Sequence, residues 1–158
     1  MVVKMQNSYK KKKNMVIAVD FDGTIVEHRY PEIGKEIIFA TDTLKALIRD
    51  GHRVILWSVR EGELLDEAVE WCRKRGVEFY AVNKDYPEES LSTPDYSRKL
   101  KADIFIDDRN VGGLPDWGSI YQMISQQKSM KQILEERMAH RSFDDSTERK
   151  KKRWWQRG

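Results

Sequence analysis

Met15-Val-Ile-Ala-Val-Asp-Phe-Asp-Gly-Thr24 is the stretch on which the reading of this chain turns. Its apolar run, Met15 to Val19, is too short for a helix and shows no alternation. It reads as a strand buried on both faces, as in a parallel sheet. The run ends in two acids, Asp20 and Asp22, separated by one residue and followed by Gly23. After an extended strand such a pair points toward one edge, with the glycine permitting a sharp turn.

Outward from this strand the pattern alternates. Thr41 or Asp42 caps a helix carrying Leu44, Leu47 and Ile48, which stops at Gly51. Arg53 to Trp57 reads as the second strand. Glu63 to Arg75 spaces Leu64, Leu65, Ala68, Val69 and Cys72 helically and ends at Gly76. Val77 to Val82 reads as a third strand. A loop over 83–97 leads to a fourth, Asp103 to Ile106, and a last helix is expected from Trp117 to Arg141. Strands separated by helices imply right-handed crossovers and a doubly wound parallel sheet, an α/β fold with a Rossmann-like core. Trp57, Trp71 and Cys72 are read as core. In such a sheet ligands bind at the carboxyl ends of the strands.

The 158 residues, 39% hydrophobic with mean hydropathy -0.73, suit a single soluble domain. No apolar run approaches the roughly 18 to 20 residues of a membrane span. One cysteine, Cys72, makes no internal disulfide, and the expected home is the cytoplasm. The net charge of +3 is uneven. Residues 1–14 carry +5 and residues 141–158 carry +4, which leaves 15–140 at −6. The expected organisation is a flexible basic arm over 1–14, a domain over 15–141 and a basic tail over 142–158 containing Trp154 and Trp155. Rings among cations in the tail have the composition of a nucleic-acid or anionic-membrane contact, although charged chain ends are usually just solvated.

The strand ends are chemically coherent. Strand one ends in Asp20 and Asp22, strand two in Ser58 and strand four in Asp107-Asp108, with Lys99 shortly before strand four. Converging carboxylates need a cation to stay ionised together, and all-oxygen ligation with retained waters suits Mg²⁺. A hydroxyl and an ammonium beside the metal then hold a phosphate. Arg60, just past Ser58, either grips a second anionic group of the substrate or pairs with Glu61 or Glu63. His28 reads as a loop histidine.

Asp20-Phe-Asp-Gly-Thr24, Ser58, Lys99 and Asp107-Asp108, in that order, resemble the four motifs of the haloacid dehalogenase superfamily of phosphohydrolases, over about residues 15–120. Val19 to His28, Leu56-Trp-Ser58, Ile106 to Arg109 and Gly113 to Trp117 look like a group of small bacterial members. The resemblance implies an aspartyl-phosphate on Asp20, with Asp22 as general acid and base. It implies Ser58 and Lys99 (or Lys101) on the phosphoryl oxygens, and Mg²⁺ on Asp20, the Asp22 carbonyl, Asp107 and, directly or through water, Asp108.

Relatives often insert a cap domain between the first and second motifs or between the second and third. Here 38 residues separate Asp20 from Ser58 and 41 separate Ser58 from Lys99, and the elements already assigned use both intervals. A capless, open site is expected, suited to a phosphorylated polymer or to a small substrate covered by a neighbouring subunit, with 25–34 as a short flap. The competing readings are a phosphotransferase on the same residues and a non-catalytic phosphate-sensing module working through the basic tails. In a response-regulator receiver the paired acids also follow the first strand, but a lone phosphoacceptor follows the third. Here Asp107-Asp108 come last, and that order disfavours it.

Overall fold

The computed structural model describes residues 14–90, 92 and 98–139. The arm at 1–14, apart from Asn14, and the tail at 142–158 lie outside the described residues. The chain divides into two compact units, the first ending at Leu114 and the second beginning at Pro115.

The first unit holds β1 (Val16–Val19), α1 (Ala40–Arg49), β2 (Arg53–Leu56), α2 (Gly62–Arg73), β3 (Ala81–Val82) and β4 (Ile104–Ile106). All strand pairs are parallel, in the order β3-β2-β1-β4. This is the expected α/β fold of Rossmann type. The chain steps outward from β1 to β3 and then crosses back to place β4 on the other side of β1. That reversal makes the β1/β4 boundary a topological switch point, where side chains beyond the strand ends can converge. The register fixes which ones do. Val19 pairs with Leu56 on one side and Ile106 on the other, so Asp20, Trp57 and Asp107 are the next residues out on three adjacent strands. Ile17, Ala18, Val19, Val54, Ile55 and Leu56 are all buried, which is why these strands read as unbroken apolar runs.

Between β1 and α1 the chain forms a hairpin. Val26 bridges antiparallel to Glu36, Glu27 N–H donates to the Lys35 carbonyl, and Ile37 N–H donates to the Ile25 carbonyl. Ile25 and Val26 are buried, whereas residues 27–32 are exposed. The two legs approach so closely at Gly34 that a Cβ there would lie 2.0 Å from the Glu27 carbonyl oxygen. This hairpin and α1 fill the interval between β1 and β2, and no cap module sits there.

Several expected boundaries move. Neither Thr41 nor Asp42 caps α1; its N-cap is Phe39 in the left-handed region. Glu36, at the base of the hairpin, instead accepts hydrogen bonds from the Thr41 N–H and hydroxyl, putting a carboxylate at the helix N-terminus. β3 is only two residues long, because the Val77 N–H is spent on the Cys72 carbonyl, closing the end of α2.

In the second unit the helix expected over 117–141 is two. α3 (Trp117–Gln126) starts on Asp116, whose carboxylate accepts from Ser119, and ends at Gln127 in the left-handed region. α4 (residues 130–139) starts after Ser129, which exchanges hydrogen bonds with Gln132 in a capping box.

Candidate functional site

A cleft of about 600 Å³ opens at the carboxyl ends of β1, β2 and β4. Asp20, Asp22, Ser58 and Asp107 all line it, as the strand-end reading expected. Oxygens of Asp20, Asp107 and Asp108 come within 4.8 Å of one another, and all three side chains are half-buried. Two contacts bring Asp108 in. Its backbone N–H donates to Thr24 Oγ1 at 3.0 Å, tying the loop after β4 to the loop after β1. Gly23, at φ 85, leaves the space for its carboxylate: a Cβ there would stand 2.4 Å from Asp108 Oδ2.

These acids repel one another. Burial pushes the Asp20 carboxyl up to about 6, and the charges of Asp107, Asp108 and Asp22 push the same way against a hydrogen bond from the Phe21 backbone. Asp108 Oδ1 is buried with no hydrogen-bond partner. An orphaned carboxylate oxygen beside two further carboxylates is the donor set of a hard divalent cation, and Mg²⁺ fits it.

Asp22 stands apart from this cluster. It is 4% exposed, and the buried Arg60 grips both of its oxygens, Nε to Oδ2 and NH2 to Oδ1, each at 2.7 Å. Arg60 NH1 also donates to the Pro31 carbonyl, and NH2 to that of Glu32, at the tip of the hairpin. Four of the five guanidinium N–H groups are thereby used. The carboxylate holds this guanidinium above its ordinary pKa. Both sequence readings of Arg60 are corrected. Fully buried and absent from the cleft wall, it is no grip for a substrate anion, and its partner is Asp22 rather than Glu61 or Glu63.

Ser58 is positioned from both sides of its peptide. Its N–H donates to Asn83 Oδ1 and its carbonyl accepts from Asn83 Nδ2, at 2.8 and 2.9 Å. The hydroxyl accepts from the Arg60 N–H at 3.2 Å, so Ser58 is a turn serine and a cleft residue at once. Lys99 is not brought to the cleft. It is exposed, and its ammonium lies 5.9 Å from the Phe105 ring centroid. Lys101 is exposed too, with its backbone N–H on Asp85. The cation that does line the cleft is Arg109, two residues past Asp107, whose carboxylate accepts the Arg109 N–H. Trp57, read as core, packs partly against Ala18 and Ile55 and also faces the cleft, as do His28 and Tyr30 from the hairpin. Cys72 is core as expected, with its thiol pushed up to about 12 by burial.

Sequence reasoning missed Asn83, and gave Thr24, although it stands in the first motif, no role of its own. Asn83 directly follows β3 with φ 53, a conformation asparagine tolerates, so its strand-end position was the available signal.

A solved structure described as the conserved protein coded by a locus of Bacteroides thetaiotaomicron superposes with a TM-score of 0.73 at 70% sequence identity, covering 77% of this chain and 98% of that one. The chain belongs to the family of that conserved Bacteroides protein. No family model matches the sequence, and no curated protein does.

Proposed function

We propose that the protein is a Mg²⁺-dependent phosphomonoesterase of the haloacid dehalogenase type, acting in the cytoplasm through an aspartyl-phosphate on Asp20. The observation that carries this reading is the convergence of Asp20, Asp107 and Asp108 at the β1/β4 switch point, with Asp22 and Ser58 on the same cleft. Asp20, Asp107, the Asp22 carbonyl and, directly or through water, Asp108 would hold the cation, which would supply charge neutralisation for the carboxylates and the phosphoryl group.

The chain's own residues do the rest. An Asp20 oxygen attacks phosphorus as the ester P–O bond breaks, and Asp22 gives its proton to the leaving oxygen. Water then attacks the same phosphorus, loses a proton to Asp22, and releases phosphate with cleavage of the bond to Asp20. Ser58, clamped by Asn83, donates to a phosphoryl oxygen. Because both Asp22 oxygens accept from Arg60, the carboxylate is set for the second half-reaction. Carrying a proton in the first requires one of those contacts to loosen. Arg109 takes the charge-offsetting role that the resemblance assigns to Lys99. The open site suits a phosphorylated polymer, or a small phosphate ester covered by a neighbouring subunit.

The test is hydrolysis of para-nitrophenyl phosphate and a panel of phosphate esters by wild type and Asp20→Asn, each with Mg²⁺ and with chelator. Turnover requiring both the metal and Asp20 is expected. Turnover that survives in Asp20→Asn overturns the nucleophile, and a folded, Mg²⁺-binding protein inactive on every ester favours a phosphate-sensing module.

A further inference from the structure

The cleft is larger than a phosphate needs, and three of the six residues that line it besides its carboxylates carry rings. At about 600 Å³ it falls within the range of roughly 300 to 1,000 Å³ typical of pockets for whole organic ligands. Beyond the carboxylates, Ser58 and Arg109, it is walled by Trp57, Tyr30 and His28, with Val59 as its single aliphatic side chain. Tyr30 is 51% exposed, a large aromatic surface left open at the site.

The Tyr30 ring is also held in place. The Arg60 guanidinium lies 5.3 Å from its centroid, and the same guanidinium bonds the carbonyls of the next two residues, Pro31 and Glu32. The other side of Arg60 holds Asp22. One buried cation therefore registers the aromatic wall against the group that, in the proposed reaction, protonates the leaving oxygen. An aliphatic chain would gain most from aliphatic walls, whereas stacked π-faces select a flat ring.

We propose that the cleft selects phosphomonoesters whose leaving group carries a planar aromatic ring, stacked on the Tyr30 and Trp57 surface that Arg60 keeps in register with Asp22. This rests on the phosphomonoesterase reading for its chemistry. The ring belongs either to a nucleobase or to a simple aryl group, and the substrates of the test separate the two.

The kcat/KM values of wild type, Tyr30→Ala and Tyr30→Phe are compared, with Mg²⁺, on adenosine 5′-monophosphate, benzyl phosphate, cyclohexylmethyl phosphate and glycerol 3-phosphate. All four leave as alcohols, so intrinsic reactivity does not set the order. Wild type is expected to favour a flat-ring ester over the cyclohexyl and glycerol esters by about tenfold or more. Tyr30→Ala is expected to collapse that ratio, chiefly through KM, and Tyr30→Phe to keep it. A preference for adenosine monophosphate over benzyl phosphate assigns the surface to a nucleobase, and the reverse to an aryl group. Equal use of flat and puckered rings, or a ratio unmoved in Tyr30→Ala, overturns the proposal while leaving the phosphomonoesterase intact. Equilibrium dialysis of adenosine and of benzyl alcohol against metal-free protein gives the converse separation. Ring binding lost in Tyr30→Ala, with no ester hydrolysed, upholds the aromatic surface and sinks the enzymatic reading. No ring binding and no hydrolysis removes both.

Discussion

Asp20 and Asp22 lie two residues apart on the same cleft, yet the fold treats their charges in opposite ways. Asp20 faces Asp107 and Asp108, and within the protein its ionisation is opposed. Asp22 is more deeply buried and has both oxygens matched by a planar guanidinium. The contrast teaches where each charge is meant to be met. The cluster on the β4 side is short of positive charge among the described residues, while the pair on the hairpin side is complete in the chain itself. Two like residues given different surroundings can take different chemical roles.

The sharpest way to break this comparison is to remove the charge that is left short. Asp20→Asn is expected to lower Mg²⁺-dependent ester hydrolysis by about 10⁴-fold or more, as loss of a covalent nucleophile does. Retention of folding, checked by circular dichroism, assigns that loss to chemistry. A modest loss, within tenfold, would mean that Asp20 is no more special than its neighbours.

Removing the completing partner tests the other half. Arg60→Met leaves Asp22 buried without its counter-charge and frees the carbonyls of Pro31 and Glu32. The expected cost is about 3 to 5 kcal/mol in denaturant unfolding, typical of breaking a buried pair from one side. The double substitution Arg60→Met with Asp22→Asn is expected to recover part of it, because the orphaned charge is gone. Additive losses would show that Arg60 acts through packing on Phe21 and Tyr30, whose ring centroids lie 5.2 and 5.3 Å from its guanidinium, rather than through Asp22.

Next in size is the hairpin that Arg60 anchors. Gly34→Ala places a methyl 2.0 Å from the Glu27 carbonyl, so the two legs must separate. A loss of about 1 to 3 kcal/mol is expected, together with weaker protection from hydrogen exchange at the Glu27 and Ile37 amides that cross the hairpin. Unchanged protection would show that the legs stay paired and that the chain accommodates the methyl without parting them.

The same contrast separates what the sequence made legible from what it did not. The acidic cluster was readable because its members sit just beyond apolar runs, and a parallel sheet brings the residues beyond its carboxyl ends to one edge. The Arg60–Asp22 pair was not, because it joins residues 38 apart through side-chain directions that no local pattern encodes. Lys99 was assigned by its interval to the fourth strand, and an interval does not say which way a loop side chain faces. The split at Gln127 went unread because apolar spacing continues from Ile120 and Ile124 to Ile133 without glycine or proline. Its signal was the capping box, Ser129-Met-Lys-Gln132. The cap of α1 was misplaced because a carboxylate five residues before Thr41, that of Glu36, supplied what Thr41 and Asp42 were expected to give.

The smallest effect expected is also the one that measures the imbalance at Asp20 directly. With the carboxyl pushed up to about 6 from an ordinary 3.8, metal-free folded protein binds this proton more tightly than the unfolded chain does. The contribution is therefore fully present below about pH 4, is lost as pH rises toward 6, and is flat above it. Asp20 is only half-buried, so the loss is about 1 to 2 kcal/mol after solvent screening. Thermal melts in chelator should show wild type falling relative to Asp20→Asn across pH 4 to 6, with the difference constant above 7. Millimolar Mg²⁺ should close that gap at pH 7 by stabilising wild type more than the variant, since the cation binds best to the ionised cluster. Parallel pH profiles for the two proteins would mean that the neighbouring carboxylates already share their charge with solvent, and the contrast with Asp22 would then be one of burial alone.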